Sequence, residues 1–124
     1  EQGGEAIEGP FDGEEAITLM ADLQAGASGS MTSAMIPDQI KPVIEHFLAG
    51  KPDQAASAYA RVLPAINFEN RQCGFRATKV VMEEGGVIQS SFCRHPIPPL
   101  HPQTKTGLLE LLQPLNPVAL SWGK

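Results

Sequence analysis

The side chains able to do chemistry here are carboxyls, hydroxyls, lysines, histidines and two thiols. Gly13, Glu14 and Glu15 set adjacent carboxyls behind a glycine, and Ser30, Met31, Thr32 and Ser33 set three hydroxyls within four positions. Taken as residues alone, the two glutamates have a plain explanation, because acids in a first helical turn complement the positive end of the helix dipole. Five lysines (Lys41, Lys51, Lys79, Lys105, Lys124) are candidate amine nucleophiles, and Lys79 sits in an apolar helix beside Val80 and Val81. A Schiff-base lysine needs a desolvated pocket, whereas a helical lysine more simply snorkels its ammonium to water or meets a carboxylate. His46 reads as a residue of a helix surface. His95 and His101 lie six apart across a proline-rich segment and lack the further ligands a zinc site requires, so they read as loop packing. Cys73 and Cys93 form no CxxC or His-paired pattern and read as free thiols. No Ser/His/Asp order and no phosphate-cradling glycine loop is present; AGASG at 25–29 follows a helix, which is the wrong side for a dinucleotide site.

The elements that must position these residues follow from periodicity and punctuation. Gly9, Pro10, Asp12 and Gly13 are loop chemistry, with residues 5–9 a short strand before them. A helix is expected over 14–24, capped by Asp12 or Gly13, with Ile17, Met20, Ala21 and Gln24 on one side, Leu19 and Leu23 completing the apolar face, and Gly26 as its stop. GASGSMTSAM (26–35) is a strand of small side chains, tolerated where a backbone passes close to another strand, a helix or a ligand. Pro37 suits the first turn of a helix carrying Ile40, Val43, Ile44, Phe47 and Leu48 and ending at Gly50.

From residue 51 helices follow without intervening strands. Pro52 and Asp53 open one with Ala55, Ala56, Tyr59, Val62 and Leu63 on its buried side, ending, kinking or restarting at Pro64. Tyr59 reads as structural, with its hydroxyl at the edge of the core. Residues 73–86 form a helix closing on paired glycines, residues 94–102 with their four prolines an extended connector, and the last helix begins near Pro102 with Leu108, Leu109, Leu111, Leu112 and Leu115.

Composition narrows the class. The 124 residues suffice for one ordinary domain, and the net charge of −5 arises mostly from six acids in the first fifteen positions. With no Lys/Arg stripe, nucleic acid is excluded as a partner; with no apolar run near 18–20 residues and no basic segment ahead of one, the chain reads as a soluble cytoplasmic protein. Strand, helix, strand, helix and then helices alone describe the tail of a parallel α/β structure. Two parallel strands do not make a stable sheet, so further strands must complete it.

Four stretches give the chain a family resemblance: AIEGPFDGEEAITLMADLQAGASG (6–29), MIPDQIKPVIEHFLAGKPDQA (35–55), LPAINFENRQCG (63–74) and EEGGVIQSSFCRHPIPPLHPQT (83–104). The sequence resembles the C-terminal part of the class I aldolase superfamily that includes dihydrodipicolinate synthase and N-acetylneuraminate lyase, closest to its branch of sugar-acid dehydratases. The resemblance implies a (β/α)8 barrel with a C-terminal helical extension. It makes residues 1–50 the last two β/α units, with 5–9 the seventh strand, 14–24 the seventh helix, 29–33 the eighth strand and 37–49 the eighth helix, and it makes residues 51–124 the extension. It also implies a hydro-lyase that forms a lysine Schiff base, without a cofactor or metal, and converts L-2-keto-3-deoxyarabonate to 2-oxoglutarate semialdehyde. The family's lysine strand, carboxylate-binding loop and proton-shuttling tyrosine have no counterpart in this chain, so no catalytic residue and no catalysis by the chain alone are expected.

The resemblance places Gly13, Glu14, Glu15, Ser30, Met31, Thr32 and Ser33 at the strand ends as substrate-binding residues, with the backbone carbonyl at the Met31 position a family point of contact and the hydroxyl at the Ser33 position one in the sialic-acid branch. Met31 replaces a usual isoleucine and Ile36 a common asparagine, which argues against importing other branches' contacts unchanged. Expected partners are the sugar acid, the remainder of the barrel and, as in tetrameric family members, further subunits. The competing readings are a 2-keto-3-deoxy-sugar-acid aldolase or dihydrodipicolinate synthase-like enzyme, and a non-catalytic helical interaction module.

Overall fold

The computed structural model describes residues 9–124. The strand expected at 5–9 therefore lies almost wholly outside the described residues. A strand forms slightly later, in what the sequence presents as loop: β1 (Phe11–Asp12) pairs in parallel with β2 (Gly29–Ser30), Phe11 opposite Gly29 and Asp12 opposite Ser30. At Gly29 the strands approach closely: a Cβ there would meet the exposed Phe11 ring at 3.2 Å, and the ring would have to give way. β2 stops at Ser30, three residues short of the eighth strand the resemblance implies.

The connection between the strands departs from expectation. Glu14–Ala16 form one short turn in which three consecutive residues have φ of 50°, 58° and 69°, the left-handed region that L-residues avoid at a cost of about 1–2 kcal/mol each. The helix α1 begins only at Leu19 and runs to Gln24. Glu14 and Glu15 thus do not complement an α-helix dipole, and Thr18, not Asp12 or Gly13, stands at the α1 start. Leu19 and Leu23 are buried as expected, whereas Ala21 and Gln24 face outward.

The helical part follows the sequence closely. α2 (Pro37–Leu48) buries Ile40 and Val43 and places Ile44 and Phe47 against the core, although Leu48 is exposed. α3 (Pro52–Phe68) buries Ala55, Tyr59, Val62, Ala65 and Ile66 against α2 and α5, and Ala56 is exposed. Pro64 does not end α3: its ring is exposed, and the buried stripe continues past it to Ile66. Beyond Phe68 the chain widens into a π-helical turn, Glu69–Cys73, before α4 (Arg76–Glu84). Gly85 and Gly86 close α4, Gly86 with φ +74°. The proline-rich connector carries no helix or strand, and α5 (Pro102–Leu112) sinks Leu108 and Leu112 into the same core. His101 caps α5, its Nδ1 accepting the Gln103 N–H at 3.2 Å. A final turn, Val118–Leu120, returns over α4.

One apolar cluster joins Ala16, Leu19, Leu23, Met35 and Ile36 of the α/β part to α2, α3, α4 and α5. Cys73 and Cys93 are both buried and both free. Among the described residues no helix is long and apolar enough to cross a membrane, and no group of three or more His, Cys, Asp or Glu could hold a metal ion.

Candidate active site

The left-handed turn is held from the helical part. The Tyr59 hydroxyl, projecting from the middle of α3, lies 2.8 Å from the Ala16 carbonyl and 2.8 Å from the Ile17 carbonyl and donates to this pair. Ala16 is fully buried beneath it. Tyr59 is structural, as the sequence suggested, but its hydroxyl is inside the molecule and fixes the backbone that presents Glu15. Burial, and then the charge of Asp12, push the tyrosine's pKa upward, so it stays a donor.

Behind the turn lies a buried acid that sequence reasoning assigned to loop or cap duty. Asp12 is 2% exposed and accepts a 2.8 Å hydrogen bond from Ser30 Oγ on the paired strand. Its other oxygen, Oδ1, has no hydrogen-bond partner. Burial, followed by interaction with the Asp22 carboxyl, pushes the Asp12 pKa up to about 6, against the pull of Ser30. Ser30 is therefore a strut between strands: its hydroxyl is committed to Asp12.

The other expected site residues separate. Glu15 and Ser33 come together on the wall of a cavity of about 170 Å³, shared with Glu69, Asn70, Gly74, Phe75 and Thr78. Ser33 also accepts the Met35 N–H at 3.3 Å. Glu14 is exposed and Gly13 is an extended residue ahead of the turn. Met31 is 66% exposed, with its N–H donated to the Asp12 carbonyl at 2.8 Å. Thr32 buries an Oγ1 that has no hydrogen-bond partner. The seven residues are thus neighbours along two strand ends, but only Glu15 and Ser33 line this cavity.

Glu69 is the member sequence reading missed. It is 3% exposed, sits in the π-helical turn, accepts from Thr78 Oγ1 at 3.4 Å through Oε1, and leaves Oε2 without a hydrogen-bond partner. Burial pushes its pKa up, Glu15 adds to the rise, and the Ser33 and Thr78 hydroxyls oppose it. Nothing in NFENRQCG signals this, because an acid beside Asn and Arg looks like a solvated face. The extra residue of the π turn, a device often found at functional sites, rotates it inward.

Among the described residues no lysine lines this cavity. Lys79 donates to the Phe92 carbonyl, Lys41 pairs with Glu45 at 3.6 Å on the surface of α2, and Lys51 and Lys124 are exposed.

Short parallel strands with a polar cavity at their ends and helices packed behind them describe a piece of a barrel-type α/β enzyme fold. The Dihydrodipicolinate synthetase family matches residues 9–115, and the chain belongs to that family. It is 53% identical over 120 residues to the L-2-keto-3-deoxyarabonate dehydratase of Azospirillum brasilense, covering 97% of this chain and 39% of that protein. The crystal structure of dihydrodipicolinate synthase from Rhodopseudomonas palustris superposes with a TM-score of 0.78 at 26% identity, covering 90% of this chain and 38% of that one. The chain therefore spans about two fifths of the length of each relative.

Proposed function

We propose that this chain is the C-terminal end of a Schiff-base hydro-lyase that dehydrates L-2-keto-3-deoxyarabonate to 2-oxoglutarate semialdehyde. The observation that carries the reading is the 53% identity to a dehydratase of that name across 97% of the chain. In this reading β1 and β2 are the seventh and eighth strands of a (β/α)8 barrel, residues 51–124 are its helical extension, and the remaining strands belong to sequence outside these 124 residues. A lysine from that sequence forms the imine with the 2-keto group. The imine acidifies the adjacent C–H, a base removes its proton, and the hydroxyl one carbon further takes a proton and leaves as water. The resulting allylic alcohol isomerises by proton shifts to the terminal aldehyde, and water hydrolyses the imine to return the lysine. The present residues shape the mouth of the pocket: Gly13 and the turn after it present Glu14 and Glu15, and the Ser30–Ser33 segment supplies the Met31 carbonyl and the Ser33 hydroxyl. Ser33 and Glu15 take the hydroxylated end of the substrate, for which a cavity of about 170 Å³ has room. The enzyme works without a cofactor and assembles as a homo-oligomer.

Borohydride reduction of the complete enzyme in the presence of a 2-keto acid tests the assignment of roles. The expected result is one adduct on a lysine outside the 124 residues and none on the isolated chain. A stoichiometric adduct on Lys79 would contradict it.

A further inference from the structure

The cavity beside Glu15 and Ser33 has a chemical bias set by the helical extension. Its polar lining is two carboxyls, two hydroxyls and one amide, from Glu15, Glu69, Ser33, Thr78 and Asn70, and among the described residues no lysine, arginine or histidine lines it. Asn70 already donates its Nδ2 to the Ile66 carbonyl at 2.9 Å, and Thr78 donates to Glu69 Oε1. What remains open is Glu69 Oε2, nearly fully buried and without a hydrogen-bond partner. A buried polar atom left in that state costs on the order of 1–3 kcal/mol, which a ligand that pairs with it recovers.

We propose that Glu69 is a specificity-determining residue that restricts this cavity to the uncharged, hydroxyl-bearing end of a 2-oxo acid, pairing Oε2 with a ligand hydroxyl and rejecting a second carboxylate. A hydroxyl suits the site in either protonation state, because it donates to an ionised carboxyl and accepts from a protonated one. A carboxylate has no such freedom: two acids face it, and among the described residues no cation lines the cavity. The volume of about 170 Å³ has ample room for a terminal hydroxyl and the carbons that carry it, a liquid water occupying about 30 Å³. This inference rests on the sugar-acid reading above, and it gives the extension a part in substrate choice as well as in packing.

The test uses the complete enzyme and two five-carbon probes that cannot lose water: 5-hydroxy-2-oxopentanoate, which ends in a hydroxyl, and 2-oxoglutarate, which ends in a carboxylate. Binding of each is measured by calorimetry, with turnover of the sugar acid followed in parallel. The wild type should bind the hydroxyl-ended probe at least about tenfold more tightly, the discrimination a site built for a hydroxyl readily gives. Glu69→Gln, which keeps shape and hydrogen bonding, should hold that affinity within about threefold and tighten 2-oxoglutarate roughly fivefold or more, narrowing the ratio. Glu69→Leu should weaken the hydroxyl-ended probe about tenfold or more; if this variant does not fold, the Gln variant alone decides. An unchanged ratio in Glu69→Gln overturns the assignment, as does a wild type that binds both probes equally or neither. Wild-type enzyme that prefers the hydroxyl-ended probe but does not dehydrate the sugar acid sinks the proposed reaction and leaves the subsite standing.

Discussion

Asp12 is the residue whose chemistry reaches furthest beyond its own position. Its carboxyl is buried between the two strands, and its pKa stands near 6 where an ordinary aspartate has 3.8. The folded state therefore binds that proton more tightly than the unfolded chain does. The contribution is complete below about pH 4 and is lost as pH rises through about 6. Asp22, held below its usual value by Asp12 and Thr18, acts in the opposite sense and only at lower pH. Urea midpoints measured between pH 4 and pH 7 should fall for the wild type on this account, and Asp12→Asn should flatten the fall; a wild type that gains stability over that window would refute it. Tyr59 offers a second test. Removing its hydroxyl leaves the Ala16 and Ile17 carbonyls unpaired under a turn already in left-handed geometry, so Tyr59→Phe should cost about 1–2 kcal/mol in denaturant titration. A loss below a few tenths would mean that the turn holds itself. Neither role was legible from composition. The sequence identifies Tyr59 as a core-face residue and Asp12 as an acid between Phe11 and Gly13, and only the fold brings one hydroxyl across 43 residues to a carbonyl and the other side chain against Ser30.

The helices were the readable elements. Pro37, Pro52 and Pro102 each open a helix and the apolar residues recur at helical spacing, so α2, α3 and α5 lie where the sequence puts them. The strands and the turn between them were not readable. A two-residue strand has no period to detect, and Glu14–Ala16 are ordinary residues forced into a left-handed turn by contacts from elsewhere. The π turn at Glu69–Cys73 is similar, a local departure that swings a buried acid to the cavity without any glycine or proline within it to announce it. The paired glycines after α4 do more than end a helix. A Cβ on Gly85 would come within 1.8 Å of the Ala119 carbonyl oxygen, and the Gly85 carbonyl accepts the Gly123 N–H at 2.9 Å. The clash is with backbone, so Gly85→Ala should displace the Val118–Leu120 turn and cost about 1–3 kcal/mol, read by denaturation and by faster amide exchange at Gly123. Stability equal to wild type would show that the C-terminal turn moves freely.

At the scale of the molecule, one core ties the two-stranded α/β part to the helices, so Glu15 of the left-handed turn, Ser33 after β2 and Glu69 share one cavity wall, supported through Tyr59 from α3. Among the described residues that wall carries acids and hydroxyls. The family resemblance was legible in the sequence because it is written in long stretches; the composition of the wall was not, because it depends on where the extension packs. The most direct test of the central claim is product analysis for the complete enzyme given L-2-keto-3-deoxyarabonate. The account predicts 2-oxoglutarate semialdehyde, one equivalent per substrate consumed, without pyruvate; pyruvate as the product would make it an aldolase and contradict the account.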